Sequence, residues 1–215
     1  MATRSNAGRV GVFGASGSGK SSYVKARLQR AKRVLVFDPL DEYAAEGFES
    51  FESGADLFDR IRDGIGAFRL SYVPPSGSED RAADLLSRIA LKVQEPFKAA
   101  GRGGELTLVV EEMNTCFHVS GGEQRCKGLA EICSRGRHSG VELVGVSQRI
   151  NEVATRFRGN CTEVVVFRQE GPRDVTAAMD ALGFVDKEQV MSLKNLHYLH
   201  KQGGNIRGPK KLRRG

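Results

Sequence analysis

The sequence predicts an α/β fold in which a mostly parallel central sheet carries helices on both faces. Short, continuously apolar runs alternate with segments of helical periodicity, and such runs are typical of strands buried on both faces of a parallel sheet. The clearest runs are residues 9–13, 33–38 and 106–110. A chain of 215 residues has the size of one large α/β domain. We therefore expect one domain over residues 9–202, with a flexible N-terminus (1–8) and a basic C-terminal tail (203–215).

The composition favours a globular protein without membrane insertion. Apolar residues make up 40% of the chain and charged residues 27%, which is ordinary for a soluble domain. No apolar run is long enough to span a bilayer, and the N-terminus lacks the apolar region of a signal peptide. We therefore expect an intracellular, cytoplasmic protein.

The charge balance is basic, with a formal net charge of +7. Residues 207–214 alone carry five Lys or Arg side chains. A clustered positive charge is consistent with a polyanionic partner, and equally with a solvated tail that aids solubility.

Residues 14–21 read Gly-Ala-Ser-Gly-Ser-Gly-Lys-Ser, which fits the phosphate-binding Walker A pattern G-x-x-x-x-G-K-[ST] at every fixed position. A strand-like run precedes this loop and a helical segment follows it, as the motif requires. Glycines let successive backbone N–H groups approach and cradle phosphate oxygens. A chance Gly/Ser loop is the alternative, which the flanking elements disfavour. The predicted nucleotide-binding residues are Gly14, Ala15, Ser16, Gly17, Ser18, Gly19, Lys20, Ser21 and Ser22.

Two side chains of this loop have predicted chemical roles. Lys20 reaches the β- and γ-phosphates of the nucleotide, and the Ser21 hydroxyl binds Mg²⁺. The predicted cofactors are therefore ATP and Mg²⁺.

The remaining elements alternate along the chain. Further strands are expected at 67–73, 141–148, 162–167 and, as a final edge strand, 196–200. Helices are expected at 21–28, 55–62, 78–97, 123–135, 151–157, 172–182 and 186–194.

Two acidic residues follow the strand at 106–110, as in a Walker B element. A parallel sheet delivers the carboxyl ends of its strands to the phosphate-binding edge, so Glu111 and Glu112 should face the nucleotide. We assign Glu111 to the metal ion and Glu112 to the attacking water. The two acids could instead begin a solvated loop, but the Walker A motif upstream favours the catalytic interpretation.

Four cysteines offer a further hypothesis. Cys116, His118, Cys126 and Cys133 could be imagined as a zinc site, but no C-x-x-C pair or other standard ligand spacing is present. We favour scattered reduced thiols.

The segment 137–149 narrows the choice among nucleotide-binding proteins. It contains an Arg before a small-residue turn, an apolar strand and a terminal Gln148-Arg149 pair. This arrangement resembles the FtsK/HerA superfamily of DNA-translocating motors, and the resemblance extends over residues 10–198. Other segments that share it are Asp38-Pro39, Glu42-Tyr43, Asn160 and residues 164–167.

The resemblance implies a RecA-like P-loop NTPase whose active site is completed in a ring, expected to be a hexamer. Gln148 would contact the γ-phosphate or the attacking water and sense hydrolysis. Arg137 would enter the neighbouring subunit's site as a trans-acting finger, with Arg135 and Arg149 as alternatives. At the first Walker B position, where this chain has Glu111, an Asp is commoner.

The implied activity is ATP-driven translocation of double-stranded DNA without sequence preference. The chain's small size looks most like genome-packaging ATPases of membrane-containing icosahedral phages, which implies capsid vertex proteins as partners and the host cytoplasm or a virion vertex as location. Candidate DNA contacts are residues 114–127 (with Arg125 and Lys127), Arg149, Arg156, Arg158 and the basic tail.

Two other classes share parts of this pattern. A nucleotide or small-molecule kinase would share the Walker A loop but needs an Arg-rich lid and an acceptor pocket. A nucleotide-switched adaptor would bind nucleotide without turnover, and the paired acids at 111–112 argue against it.

Overall fold

A mostly parallel sheet of nine strands forms the centre of the part of the chain that the structure describes. The structure is a computed structural model, and it describes residues 7–100 and 104–212. The strands are β1 (Arg9–Phe13), β2 (Arg33–Phe37), β3 (Glu49–Phe51), β4 (Phe68–Tyr72), β5 (Leu106–Val110), β6 (Val141–Ser147), β7 (Glu163–Phe167), β8 (His197–Gln202) and β9 (Asn205–Lys211). Their spatial order is β3-β4-β2-β5-β6-β1-β7-β8-β9.

Strands β1 to β7 pair in parallel, and β8 and β9 continue the sheet in antiparallel pairing. The carboxyl ends of β1, β2, β5, β6 and β7 therefore lie at one edge. Strand β6 lies between β1 and β5, so the residues that follow it lie between the phosphate loop and the paired acids.

Helices cover both faces of this sheet. They are α1 (Lys20–Leu28), α2 (Gly54–Asp63), α3 (Glu79–Val93), α4 (Glu95–Ala100), α5 (Met113–Cys116), α6 (Gly122–Arg125), α7 (Lys127–Arg135), α8 (Thr155–Asn160), α9 (Pro172–Leu182) and α10 (Lys187–Met191). Short 3-10 turns occupy Ala44–Glu46, Gly136–Ser139 and Ile150–Glu152.

Two buried clusters, one on each face, hold the layers together. Val24 of α1 packs with Val10 and Val12 on one face, whereas Leu86 of α3 and Leu129 of α7 belong to the larger cluster on the other. Removal of this apolar surface from water stabilises the three-layer arrangement. The predicted α/β fold with helices on both faces is confirmed.

Several element predictions need correction. The helix predicted at 123–135 is broken at Cys126, whose backbone angles (φ −118°, ψ 68°) are not helical. The segment predicted as helix 151–157 is a 3-10 turn followed by α8, and the short strand β3 was not predicted at all.

The segment predicted as a basic tail contains a strand. Residues 205–211 form β9, which pairs with β8 because Gly203 and Gly204, both with positive φ, make a tight hairpin turn. Pairing satisfies backbone groups that β8 would otherwise leave open at the sheet edge. The rest of the tail, 213–215, and residues 1–6 of the predicted flexible N-terminus lie outside the described residues.

The cysteines are free thiols. Cys116, Cys126 and Cys133 are buried and Cys161 is partly buried. Within 7–100 and 104–212, no cluster of His, Cys, Asp or Glu side chains has the make-up of a metal site. The zinc hypothesis therefore finds no ligand set there. Over the same ranges, no helix has both the length and the apolar character that crossing a bilayer requires.

A buried carboxylate ties α1 to three strands. One oxygen of Glu163 accepts from Arg27 (3.1 Å), from Tyr23 (3.3 Å) and from a ring nitrogen of His200 (3.0 Å). Arg27 also bridges to Glu142 at 2.7 Å. Because Glu163 is 6% exposed, these donors replace the water that the carboxylate loses on folding.

Replacement of Glu163 by Ala should lower the free energy of unfolding by about 2 kcal/mol, because three donors lose a charged acceptor. Urea unfolding followed by circular dichroism measures this loss as a lower midpoint. The exposed Glu52→Ala serves as the matched control and should shift the midpoint little. Equal effects of the two substitutions would contradict the structural role of Glu163.

Candidate nucleotide-binding site

The phosphate-binding loop lies at the carboxyl edge of the sheet, between β1 and α1. It is fixed on both sides, because the Gly14 N–H donates to the Ser147 carbonyl (3.3 Å) and the Ala15 N–H donates to the Arg168 carbonyl (2.8 Å). Those carbonyls belong to the ends of the two strands that flank β1. The position of the loop therefore depends on the sheet order.

Two glycines of the loop are required by its geometry. Gly19 has φ +115°, and a Cβ there would also press on Phe167 and Leu196. A Cβ on Gly14 would lie 2.6 Å from the Cβ of Phe167 and 2.6 Å from the Ser18 hydroxyl. Side chains at these positions would push the loop away from β7.

The lysine of the motif points back over its own loop. Lys20 is 7% exposed, and its Nζ donates to the Ala15 carbonyl at 3.2 Å. Burial lowers the pKa of its ammonium group, although the charges of Glu112 and Glu111 oppose this shift. The ammonium lies where a phosphate oxygen could replace the carbonyl as its partner.

A polar cleft of about 210 Å³ opens in front of the loop. It brings together Lys20, both acids and the strand-end glutamine, and it adds the segment after β2, which the sequence analysis did not assign to the site. The residues that line it are Ser16, Gly17, Lys20, Ser21, Asp38, Pro39, Leu40, Glu42, Glu111, Glu112 and Gln148. Gly14, Ala15 and Gly19 form the backbone of the loop beneath, the Ser18 hydroxyl is buried without a partner in the described chain, and Ser22 is exposed on α1.

Glu111 is held by a tyrosine that the sequence analysis did not assign to the site. The Tyr43 hydroxyl donates to its Oε1 at 2.6 Å in a buried contact. Burial raises the pKa of Glu111 to about 7, although the tyrosine hydrogen bond works in the opposite direction. Asp38 fixes Tyr43 in turn, because its carboxylate accepts the backbone N–H groups of Tyr43 (2.8 Å) and Glu42 (3.1 Å). The Asp-Pro and Glu-Tyr pairs after β2 were the available sequence signal.

Glu112 takes an uncommon backbone conformation. Its φ of 43° lies in the left-handed region, which a non-glycine residue enters at a cost of about 1–3 kcal/mol. The Gln148 amide donates to Glu112 Oε1 at 2.8 Å and so holds the carboxylate toward the end of β6. Gln148 and Glu112 therefore act as one hydrogen-bonded unit in this structure.

The donor set suits a hard cation that arrives with a nucleotide. Ser21 supplies a hydroxyl and Glu111 a carboxylate, and Mg²⁺ is usually held by one or two carboxylates together with substrate phosphates. Within the described residues no cluster could hold a metal by protein ligands alone. Ser21 and Glu111 fit a shared protein–phosphate site.

The three candidate finger arginines differ in their contacts. Arg137 and Arg135 are exposed, and their guanidinium groups have no partner among the described residues. Arg137 precedes β6 and so lies at the edge opposite the cleft, separated from it by a strand of seven residues, about 23 Å. Arg149, by contrast, forms ion pairs with Asp174 (3.2 Å) and Glu152 (3.3 Å).

Most of the arginines between residues 125 and 158 that we considered as DNA contacts also form ion pairs. Arg125 pairs with Asp80 at 2.9 Å and Arg156 with Glu123 at 2.7 Å. Arg158 donates to the Val153 carbonyl at 3.0 Å. Lys127 is exposed at the start of α7.

Comparisons with known proteins agree on the fold. The family model described as "Helicase HerA, central domain" matches residues 7–114. No curated protein sequence matches the chain.

Among solved structures, the genome packaging NTPase B204 from Sulfolobus turreted icosahedral virus 2, in complex with AMPPCP, superposes with a TM-score of 0.75 at 18% identity. This match covers 96% of the present chain and 98% of B204. VirB4 of Thermoanaerobacter pseudethanolicus matches with a TM-score of 0.65 at 13% identity, over 96% and 90% of the two chains. At these identities the likeness shows a shared fold.

Glu111→Gln should stabilise the protein at alkaline pH. Between the ordinary value of 4.5 and about 7, the folded chain holds a proton that the unfolded chain releases, so the free energy of unfolding falls as pH rises through this interval. The Gln side chain does not titrate, so the free energy of unfolding should not fall in this way, and its amide oxygen can still accept the hydrogen bond from Tyr43. We expect a gain of about 1–3 kcal/mol at pH 8 that shrinks at pH 5.

Urea unfolding of both proteins at pH 5 and pH 8 measures this difference. Glu112→Gln, which changes the less buried acid, is the control. A gain for Glu111→Gln that is the same at both pH values would argue against a raised pKa.

Proposed function

Because the chain belongs to the family of the HerA helicase central domain, we propose that it is an ATPase that couples hydrolysis to the translocation of double-stranded DNA. The observation that carries the proposed hydrolysis is the cleft that joins Lys20, the two Walker B acids and Gln148, and the family supports the coupling to DNA. A kinase needs an acceptor pocket beside the phosphates, whereas this cleft places a carboxylate and an amide there. Such a pair suits the activation of water.

We assign the binding of the nucleotide to the phosphate loop. Its N–H groups and Lys20 would hold the β- and γ-phosphates, and Ser21 with Glu111 would hold Mg²⁺. When bound, Mg²⁺ neutralises charge on the phosphates and orients them. Tyr43 acts as a positioning residue, because its hydroxyl fixes the Glu111 carboxylate that would bind the cation.

We assign activation of the attacking water to Glu112. Its carboxylate accepts a proton from the water as the oxygen approaches the γ-phosphate. Gln148 orients Glu112 through the 2.8 Å hydrogen bond, and it exchanges that partner for a phosphate or water when the site is filled. This exchange would report the state of the nucleotide to the segment after β6.

Arg137 completes the site from a second subunit in this proposal. It is exposed, its guanidinium is free in the described chain, and it lies too far from the cleft of its own subunit to act there. A fixed positive charge that enters from a neighbour stabilises the transition state. Arg135 has the same freedom and is the alternative, whereas Arg149 is already paired. We infer a ring, with six subunits as the expected number.

We further propose that the translocated DNA is a viral genome that is packaged into a capsid. Support comes from the fold shared with B204, a genome packaging NTPase, over nearly the full length of both chains. Proteins of the capsid vertex are then the expected partners, and the host cytoplasm or the virion vertex is the expected location.

Phosphate release with and without duplex DNA tests this function. We expect hydrolysis that DNA stimulates at low salt and that Glu112→Gln reduces by about 10²–10⁴-fold while nucleotide binding persists. Lys20→Ala should lose nucleotide binding as well as hydrolysis. Hydrolysis that ignores DNA but requires a small acceptor would indicate a kinase, and binding without turnover would indicate an adaptor.

Arg137→Ala should reduce turnover by about 10³-fold and leave nucleotide binding largely intact. Mixed with Lys20→Ala subunits, which keep Arg137 but not a working loop, it should recover part of the activity, because one subunit supplies the arginine to the next. A double variant, Lys20→Ala with Arg137→Ala, is the control and should rescue nothing. Failure of the first mixture to recover any turnover would exclude a trans site built on Arg137.

A further inference from the structure

The hairpin formed by β8 and β9 has an unusual charge pattern. Residues 195–212 include Lys201, Arg207, Lys210 and Lys211 and contain no Asp or Glu. Lys201 donates to the Ala181 carbonyl at 2.8 Å. The other three cations have no side-chain partner within the described residues. By contrast, the arginines of α6 and α8 already form ion pairs or donate hydrogen bonds to backbone carbonyls.

A β-bulge aligns two of these cations on one face. The register pairs Arg207 with His200 and Lys210 with Tyr198, so two residues of β9 lie opposite the single residue between His200 and Tyr198. Because residues 198 and 200 share a face of β8, Arg207 and Lys210 share the corresponding face of β9. Gly208 allows this arrangement, since its φ is +131° and a Cβ would lie 2.7 Å from the Tyr198 carbonyl.

The hairpin suits an anionic partner better than an apolar one. The large apolar side chains that the described chain exposes all lie elsewhere: Leu40, Ile65, Leu85, Val119, Phe184 and Met191. Among the described residues, strand β9 is also the last strand of the sheet, so the backbone N–H groups on its outer edge have no neighbouring strand there. Fixed cations together with free N–H donors are the groups that contact a nucleic-acid backbone without reading its sequence.

We propose that the β8–β9 hairpin binds the phosphate backbone of double-stranded DNA through Arg207 and Lys210, which share one face of β9, and through Lys211, which lies at the end of the strand on the other face. This inference rests on the proposed translocase function and locates part of its DNA contact. The basic end of the hairpin lies on the nucleotide side of the sheet, because Lys211 pairs with His197 and β8 begins at the carboxyl edge of β7. Two backbone hydrogen bonds connect it to the phosphate loop: Leu196 N–H to Ser18 O (2.9 Å) and Leu212 N–H to Leu196 O (2.7 Å).

The test compares two triple variants of the full chain with the same net charge. The hairpin variant changes Arg207, Lys210 and Lys211 to Gln. The control variant changes three other cations to Gln: Arg30, Lys98 and Lys187. These three are exposed, have no partner in the described chain and lie outside the hairpin. Fluorescence anisotropy with a labelled random-sequence duplex, in the presence of a non-hydrolysable ATP analogue, measures affinity across salt concentrations.

We expect the hairpin variant to bind duplex about 10- to 100-fold more weakly at low salt. The negative slope of log affinity against log salt should become shallower by about 2–3, since each phosphate contact contributes about 0.9 to its magnitude. Its basal ATPase activity should stay unchanged and its stimulation by DNA should fall. The control variant should keep the slope of the wild type.

Equal slopes for the hairpin variant and the wild type would overturn the inference. An equal loss of duplex affinity in the hairpin and control variants would also overturn it, because net charge alone would then explain the loss. In either case, salt-dependent binding and stimulation of the wild type would leave the translocase function standing. If the hairpin variant instead lost binding to anionic lipid vesicles and kept its binding to duplex, the inference would be overturned, and a membrane surface would be the partner of the hairpin.

Discussion

The parallel pairing of β6 between β1 and β5 is the constraint on which the candidate site depends. Through it, the Ser147 carbonyl fixes the first glycine of the phosphate loop, and the next residue, Gln148, reaches the acid that follows β5. A different strand order would leave the loop and the acids at the same edge but remove the amide between them. The site is therefore a property of the sheet order as much as of its motifs.

Much of the fold and half of the site could be predicted from sequence, because buried parallel strands leave continuous apolar runs and phosphate loops have a fixed pattern. Tyr43 was missed because its contact with Glu111 joins segments far apart in sequence, and the Glu-Tyr pair after β2 does not show which residue the tyrosine contacts. Strand β9 was missed because its residues are polar and charged. The Gly203-Gly204 pair was the overlooked signal, since two adjacent glycines favour a tight hairpin.

Charge illustrates a second limit of sequence reasoning. Arginines 125, 137, 149 and 156 look equivalent along the chain and are all exposed, yet the fold pairs three of them with carboxylates and leaves Arg137 without a partner among the described residues. A carboxylate already neutralises part of the charge of a paired guanidinium, whereas an unpaired one keeps its full charge for a phosphate. Pairing, which only the fold reveals, thus separates cations that hold the domain together from cations available to another molecule.

The hydrogen bond from Leu196 to Ser18 also bears on how the protein folds. Leu196 has a positive φ of 64°, which costs energy unless its neighbours hold it in place. Its contact with the phosphate loop joins residues far apart in sequence, and closing so long a loop costs more chain entropy than a local contact does. The phosphate loop is synthesised long before Leu196, the residue that supports it. A nascent or truncated chain could contain the whole Walker A sequence and still lack the loop's finished shape.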